Sequence, residues 1–393
     1  MIHIANRMSR LGNETAFVVL AKARALEAQG KNIVHLEIGE PDFDTPLNIR
    51  NAAKKAIDEG FTHYGPSAGL PQARAAIAKY TASSRGIEVS PDNIVFTPGG
   101  KPIMSFVIMA CVDEGDEVIY PNPGFPIYES MIEFVGAKAV PLQLKEEKGF
   151  SFDIDDLKKL ITKKTRMLIL NSPQNPTGGV LSESDIREIA KLAIQHNIIV
   201  LSDEIYARIV YDGYRHFSIA SLPGMQERTI ILDGFSKTYA MTGWRMGWGV
   251  MPEELARYVI QLQTNVTSCT ASFSQIAGVE ALMGPQDEVV RMVEEFKRRR
   301  DTIVDGLNAI PGIKCHKPLG AFYVFPNITG TGRSSRDLAD FLLNEGGVAC
   351  LSGTAFGKHG EGYLRFSYAN SIPNINKALE RIAKALKGQT VGV

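Results

Sequence analysis

The sequence predicts an α/β fold, a largely parallel sheet covered by helices on both faces, with a second, smaller α+β domain. Three observations carry this. From Pro46 to about Gly284, helical patterns alternate with short, wholly apolar runs, as expected of strands buried between two helical layers. After Gly284-Pro285 the pattern changes to one long helix followed by scattered strands. At 393 residues the chain also has ample length for more than one domain. The expected division is residues 1–45 as an N-terminal segment contributing to the small domain, 46–285 as the large domain and 286–393 as the small C-terminal domain.

Taken in order, a helical pattern runs from Glu14 to Gln29 and stops at Gly30; a strand from Asn32 to Ile38 ends in GEPDFDTP. Apolar residues spaced three and four apart predict helices over Leu47–Glu59, Leu70–Ser84, Lys101–Val112, Phe125–Val135 and Glu183–His196. Short apolar runs predict strands at Ile94–Phe96, Glu117–Tyr120, Ala139–Leu142, Met167–Leu170, Ile198–Ser202, Thr229–Leu232 and Met246–Val250. Beyond Pro285 come a long helix, strands near Ala321–Pro326, Val348–Leu351 and Tyr363–Ala369, and a last helix.

Composition narrows the class. Basic and acidic residues balance at 43 each, so no overall field draws the chain to nucleic acid or an anionic membrane. The basic run Lys297–Arg300 lies beside Glu294, Glu295 and Asp301 in a helical pattern and reads as a solvated helix face. The four cysteines are far apart and read as free thiols in a reducing compartment. No histidine pair has ligand spacing, so no metal site is expected. No apolar run reaches membrane-spanning length, and a cytoplasmic protein is expected.

Ligands of a parallel sheet gather beyond the carboxyl ends of its strands, and chemistry-bearing residues concentrate there. FSKTYAMTGWRMGWG follows the strand at Thr229–Leu232 and carries Ser236, Lys237 and Arg245. A lysine just past a buried strand is partly desolvated, which lowers its pKa and makes its amine a nucleophile for carbonyls. IIVLSDEIY places Asp203 at a strand exit with Tyr206 close behind; an acid there calls for a cationic partner, although a helix-capping aspartate is the commoner case. LILNSPQNPTG holds the Asn175 amide beside Pro176, where an ordinary turn would look the same. In IVFTPGGKP, Gly99 and Gly100 end a strand before a helix, offering backbone N–H groups to an anion. Neither the Walker spacing nor a G-x-G-x-x-G fingerprint is present, so a single phosphate monoester fits better than a pyrophosphate.

SDEIY, NPTG, SKTYAMTGWRMGW and YLRFSYA, in this order and spacing, resemble the class I aminotransferases of the fold-type I pyridoxal-phosphate enzymes. The resemblance runs from GEPDFDTP to the last helix. It implies a seven-stranded mixed, mostly parallel sheet in the large domain, a small domain built from both termini, and a homodimer with shared active sites. It further implies transfer of an amino group from an L-amino acid to a 2-oxo acid with pyridoxal 5'-phosphate as cofactor. The PGGKP and GFSFD stretches are similar to bacterial members assigned to aspartate, with 2-oxoglutarate as the expected acceptor.

The resemblance also implies roles. Lys237 would form the aldimine with the cofactor and shuttle the proton, Asp203 would pair with the ring nitrogen, and Tyr206 and Asn175 would bind the ring oxygen. Gly99, Gly100, Lys101, Ser236 and Arg245 would surround the phosphate, and Phe125 would stack on the ring. Tyr64 would reach the neighbouring subunit's phosphate. Arg365 would clamp the substrate α-carboxylate by two parallel bonds, with Gly39 and Asn175 beside it. Cis bonds are expected at Asn122-Pro123 and Asn175-Pro176. Selectivity for a dicarboxylate needs a second cation, and Lys101 is the candidate. Two departures stand out: Phe125 replaces a tryptophan of well-known aspartate enzymes, and a glycine replaces the hydroxyl residue frequent in the phosphate loop.

The alternatives are alanine or aromatic amino acid transamination, favoured if Phe125 and Phe17 line the mouth, a lyase on the same scaffold, and a non-enzymatic sensor. The last is disfavoured because no DNA-binding module is evident and each of the family's catalytic positions is occupied.

Overall fold

The computed structural model describes residues 2–388. Strand β1 is Val34–His35, β2 Ile94–Thr97, β3 Glu117–Asn122, β4 Lys138–Gln143, β5 Thr165–Asn171 and β6 Ile199–Asp203. They are followed by β7 Thr229–Gly234, β8 Gly247–Val250, β9 Tyr323–Val324, β10 Val348–Ala349, β11 Leu351–Ser352 and β12 Leu364–Ser367. Seven of them form one sheet in the order β2-β8-β7-β6-β5-β3-β4. All neighbours pair in parallel except β8, which runs antiparallel to both β2 and β7.

The sheet's two faces follow from strand alternation. Val118, Met167, Ile169 and Leu201 point to one face and pack with Ile103, Val107 and Ile108 of the helix Lys101–Cys111. Ile119, Leu168, Leu170 and Val200 point to the other and pack with Ile186, Ile189 and Ala193 of the helix Glu183–Gln195. Every residue of β3 and β7 is therefore buried, while edge strand β4 has exposed ends. Since β2, β3, β5, β6 and β7 run the same way, Gly99, Asn122, Asn171, Asp203 and Ser236 all come out on one edge of the sheet.

Away from this sheet, β11, β12 and β9 form an antiparallel sheet. β1 pairs in parallel with β10, bringing residues 34–35 of the N-terminal segment against residues 348–349. The long helix Asp287–Asn308 packs in a common core with the last helix Ile372–Leu386 through Ile303, Leu307, Ile375 and Ile382.

The structure corrects several boundaries. The strand expected over Asn32–Ile38 is only Val34–His35, because β1 has a single short partner. The run expected as one strand at Val348–Leu351 is two, β10 and β11, which leave Cys350 between them to join different sheets. After β8 the alternation breaks: two helices, Glu253–Thr267 and Ser272–Met283, follow each other with no strand between. The short helix Ile154–Leu160 was also not expected. Cis peptide bonds occur at both expected positions and also at Ser172-Pro173.

Candidate active site

Beyond the carboxyl edge of the large sheet lies a cavity of about 500 Å³. Of the residues predicted from sequence, Gly39, Gly100, Lys101, Phe125, Asn175, Asp203, Tyr206, Ser236, Lys237, Arg245 and Arg365 line it. Gly99 lies just behind, against Arg245. Tyr64 does not join them; its ring is 91% exposed at the surface.

Lys237 leaves the end of β7 and is withdrawn from solvent, its Nζ donating to the Gly39 carbonyl at 2.5 Å. Burial pulls the amine down to about 8, Arg365 pulling the same way and Glu40 opposing. Asp203, the last residue of β6, is buried. Its Oδ2 accepts a 2.6 Å bond from the Tyr128 hydroxyl, and its Oδ1 accepts from the Ile205 N–H at 3.2 Å. Burial nevertheless lifts its carboxyl to about 6, since those two bonds offset only part of the desolvation.

The turn expected from the sequence to receive an anion sits at the end of β2. Gly99 adopts φ +93°, and a Cβ there would stand 2.4 Å from Arg245 Nη2, so only glycine fits both the turn and the guanidinium. The helix that starts at Lys101 has no side-chain cap, leaving its first N–H groups to a ligand. Arg245 is itself held by a 2.8 Å bond from Nη1 to the Thr242 carbonyl.

Arg365, in β12, is buried between two rings, 4.6 Å from the Tyr323 centroid and 5.0 Å from that of Phe356. Its Nη1 donates to Asn175 Oδ1 at 3.2 Å and its Nη2 to the Glu37 carbonyl, while the buried Nε has no partner. The unpartnered Nε leaves part of the guanidinium edge open to an incoming carboxylate. Tyr206 and Tyr323 join hydroxyls at 2.8 Å. The Tyr323 hydroxyl fills the space a side chain at residue 39 would take, which explains the glycine there.

At the mouth, Lys101 Nζ lies 5.6 Å over the Phe125 ring and 2.6 Å from Glu14 Oε2. Phe17 lines the same cavity. Sequence reasoning missed Tyr128, Tyr323, Phe356 and Glu14. Tyr128 lies three positions after Phe125, one helical turn on. Tyr323 stands in an aromatic run directly after Gly320-Ala321. Among the described residues no cluster has the makings of a metal site, and no helix is long and apolar enough to cross a membrane.

The arrangement offers a desolvated amine, a buried carboxylate lacking an ion-pair partner among the described residues, an anion cradle and an arginine edge, all facing one cavity. Comparison with known proteins bears on it directly. The aminotransferase class I and II family matches residues 31–382. An aspartate aminotransferase of Pyrococcus abyssi is 43% identical over 360 residues, 91% of this chain and 92% of its own length. Aromatic-amino-acid aminotransferase 2 of Thermococcus litoralis is 42% identical, covering 92% of this chain and 93% of its own. The solved aspartate aminotransferase of Thermus thermophilus with maleate is 36% identical and superposes with a TM-score of 0.94, covering 98% of this chain and all of that one.

Proposed function

From the premise that the chain belongs to the class I and II aminotransferase family, we propose that it transfers the amino group of L-aspartate to 2-oxoglutarate with pyridoxal 5'-phosphate as cofactor. The observation that carries this reading is the half-buried Lys237 amine, held on the Gly39 carbonyl and brought down to about 8, facing the same cavity as a buried Asp203 raised to about 6.

The residues fit that cofactor. Asp203 is a buried carboxylate with a hydroxyl and an N–H for partners and no cation of its own, as a protonated ring nitrogen would require. Gly99, Gly100, Ser236, Lys101 and Arg245 surround the uncapped helix start that suits one phosphate. Phe125 offers a ring face and Tyr206 a buried hydroxyl. Bound pyridoxal phosphate supplies an electron-accepting ring that allows the Cα–H bond of an amino acid to break. Asp203 would face the ring nitrogen and hold a proton on it. Lys237 Nζ, partly neutral near pH 8, is the amine that would hold the cofactor at its carbonyl group, and it would carry the substrate's α-proton. Arg365 would receive the α-carboxylate along its free edge beside Asn175.

Aspartate is favoured by Lys101, a second cation lining the same cavity as Arg365, and by relatives that carry that name. Phe125 and Phe17, lining the same cavity, support a second reading, an alanine or aromatic donor. The protein is proposed to act as a cytoplasmic homodimer in which Tyr64, 91% exposed and outside its own chain's cavity, reaches the partner's phosphate. Residues 46–285 would form the cofactor-binding domain and residues 1–45 with 286–393 the smaller one.

A panel of aspartate, alanine and phenylalanine with 2-oxoglutarate tests the reading. The highest kcat/KM is expected for aspartate, with stoichiometric oxo acid and glutamate formed. Amino acid consumption without glutamate would indicate a lyase, and preference for phenylalanine would favour the second reading.

A further inference from the structure

The cation assigned to the substrate's second carboxylate already holds one. Lys101 Nζ donates to Glu14 Oε2 at 2.6 Å, and both residues line the cavity. The Glu14 side chain is only 16% exposed, against 46% for Lys101, so the carboxylate is the more inward partner. Its negative charge is felt at Lys237, Arg365 and Tyr323. A carboxylate that pairs with Lys101 and acts on Arg365 stands in the region to which the side chain of a dicarboxylic substrate would be drawn.

Glu14 is also built to move. It precedes the helix Thr15–Glu27 in an extended conformation (φ −79°, ψ 111°) and makes no side-chain capping bond. The chain before it is tied down at Gly12, whose N–H donates to Ser130 Oγ at 2.9 Å, and at Arg10, whose Nε donates to the Glu133 carbonyl at 2.8 Å. Residues 13 and 14 therefore link a fixed point to the helix start, and no backbone ladder holds them.

We propose that Glu14 is a specificity-determining residue, an internal counter-ion that holds Lys101 when the substrate side chain is neutral and is displaced by the second carboxylate of a dicarboxylic one. Two carboxylates cannot share one lysine without repulsion. An apolar side chain instead meets a neutralised Lys101–Glu14 pair beside Phe125 and Phe17, which costs no unpaired buried charge. One cavity can thus take a dicarboxylate in one half of the reaction and an apolar amino acid in the other. The inference rests on the reading that Lys101 receives the second carboxylate.

The test is equilibrium binding of two inert anions, succinate and 3-phenylpropionate, to holoenzyme carrying Glu14→Gln or Lys101→Ser. Glu14→Gln keeps the shape and removes the competitor. Succinate should then bind about three- to tenfold tighter, a range set by the partial exposure of Lys101, while 3-phenylpropionate changes by less than about twofold. Lys101→Ser should weaken succinate. If Glu14→Gln leaves succinate unchanged or weaker while Lys101→Ser weakens it, Glu14 is no competitor and the proposal falls with the Lys101 reading intact. Equal tightening of both anions would make Glu14 an unselective gate and also overturn it. If Lys101→Ser leaves succinate unchanged, the Lys101 reading fails and takes the proposal with it.

Discussion

The Tyr128 hydroxyl donates a 2.6 Å hydrogen bond to Asp203 Oδ2, from the helix Ile127–Phe134 to the end of β6. The bond stabilises the ionised form of a carboxyl that burial has raised to about 6. Tyr128→Phe removes it and should raise Asp203 further. In cofactor-free protein, pyridoxal phosphate affinity, which needs the carboxylate, should then decline at a higher pH than in wild type as the solution is acidified. Titrations between pH 5 and 8, chosen around the value of about 6, check this; superimposable profiles would contradict it.

A raised carboxyl also bears on stability. Asp203 has an ordinary value of 3.8 and stands at about 6 in the fold, so the folded state binds the proton more tightly than the unfolded one. Its contribution therefore becomes less favourable as pH rises from about 4 to about 6, and the full penalty persists above that. Asp203→Asn should stabilise the cofactor-free protein near pH 7 by about 2–3 kcal/mol while lowering turnover by orders of magnitude. Urea denaturation at pH 7 and pH 4 measures the first; a gain of equal size at both would show that the proton is not its source.

Gly99→Ala places a Cβ 2.4 Å from Arg245 Nη2 at a φ of +93°. Arg245 must move away from the helix start, and pyridoxal phosphate should bind about tenfold or more weakly. Pyridoxal, which lacks the phosphate, is the control: its affinity should change much less. Equal losses for both would mean that the substitution disturbs the ring site instead.

Behind the sheet edge, buried Arg85 bridges Glu204 at 2.9 Å and Asp233 at 2.7 Å, tying together the strand ends that carry Asp203 and Lys237. Arg85→Met leaves buried Asp233 without its cation and Glu204 with only His216, 2.9 Å away, and should cost about 3–5 kcal/mol in unfolding experiments. Adding Glu204→Gln and Asp233→Asn should recover part of that loss. If the single variant is as stable as wild type, the bridge contributes little.

The sequence made legible whatever local pattern and strand-end chemistry decide. The buried runs of β3, β5, β6 and β7 are apolar on both faces; Asp203 ends a strand, and Gly99 and Lys237 come within three residues of one. What it hid depends on pairing between distant segments. β10 and β11 divide at Cys350 because one finds a partner in residues 34–35 and the other in residues 364–365. Glu14 meets Lys101 across 87 positions and Tyr206 meets Tyr323 across 117, and no local periodicity marks either. The two helices after β8 were hidden because the reversed strand interrupts the alternation by which the neighbouring segments were read.

The central claim is that Lys237 is the amine that joins the cofactor. Borohydride reduction of the holoenzyme fixes the cofactor to whichever amine holds it, and a modified lysine resists trypsin. The expected product is a single cofactor-bearing peptide from Thr229 to Arg245, uncut at Lys237, and its absence from a Lys237→Ala variant that has lost turnover by at least ~10²–10⁴-fold. Label on any other lysine, or a Lys237→Ala variant that transaminates near the wild-type rate, would contradict the account.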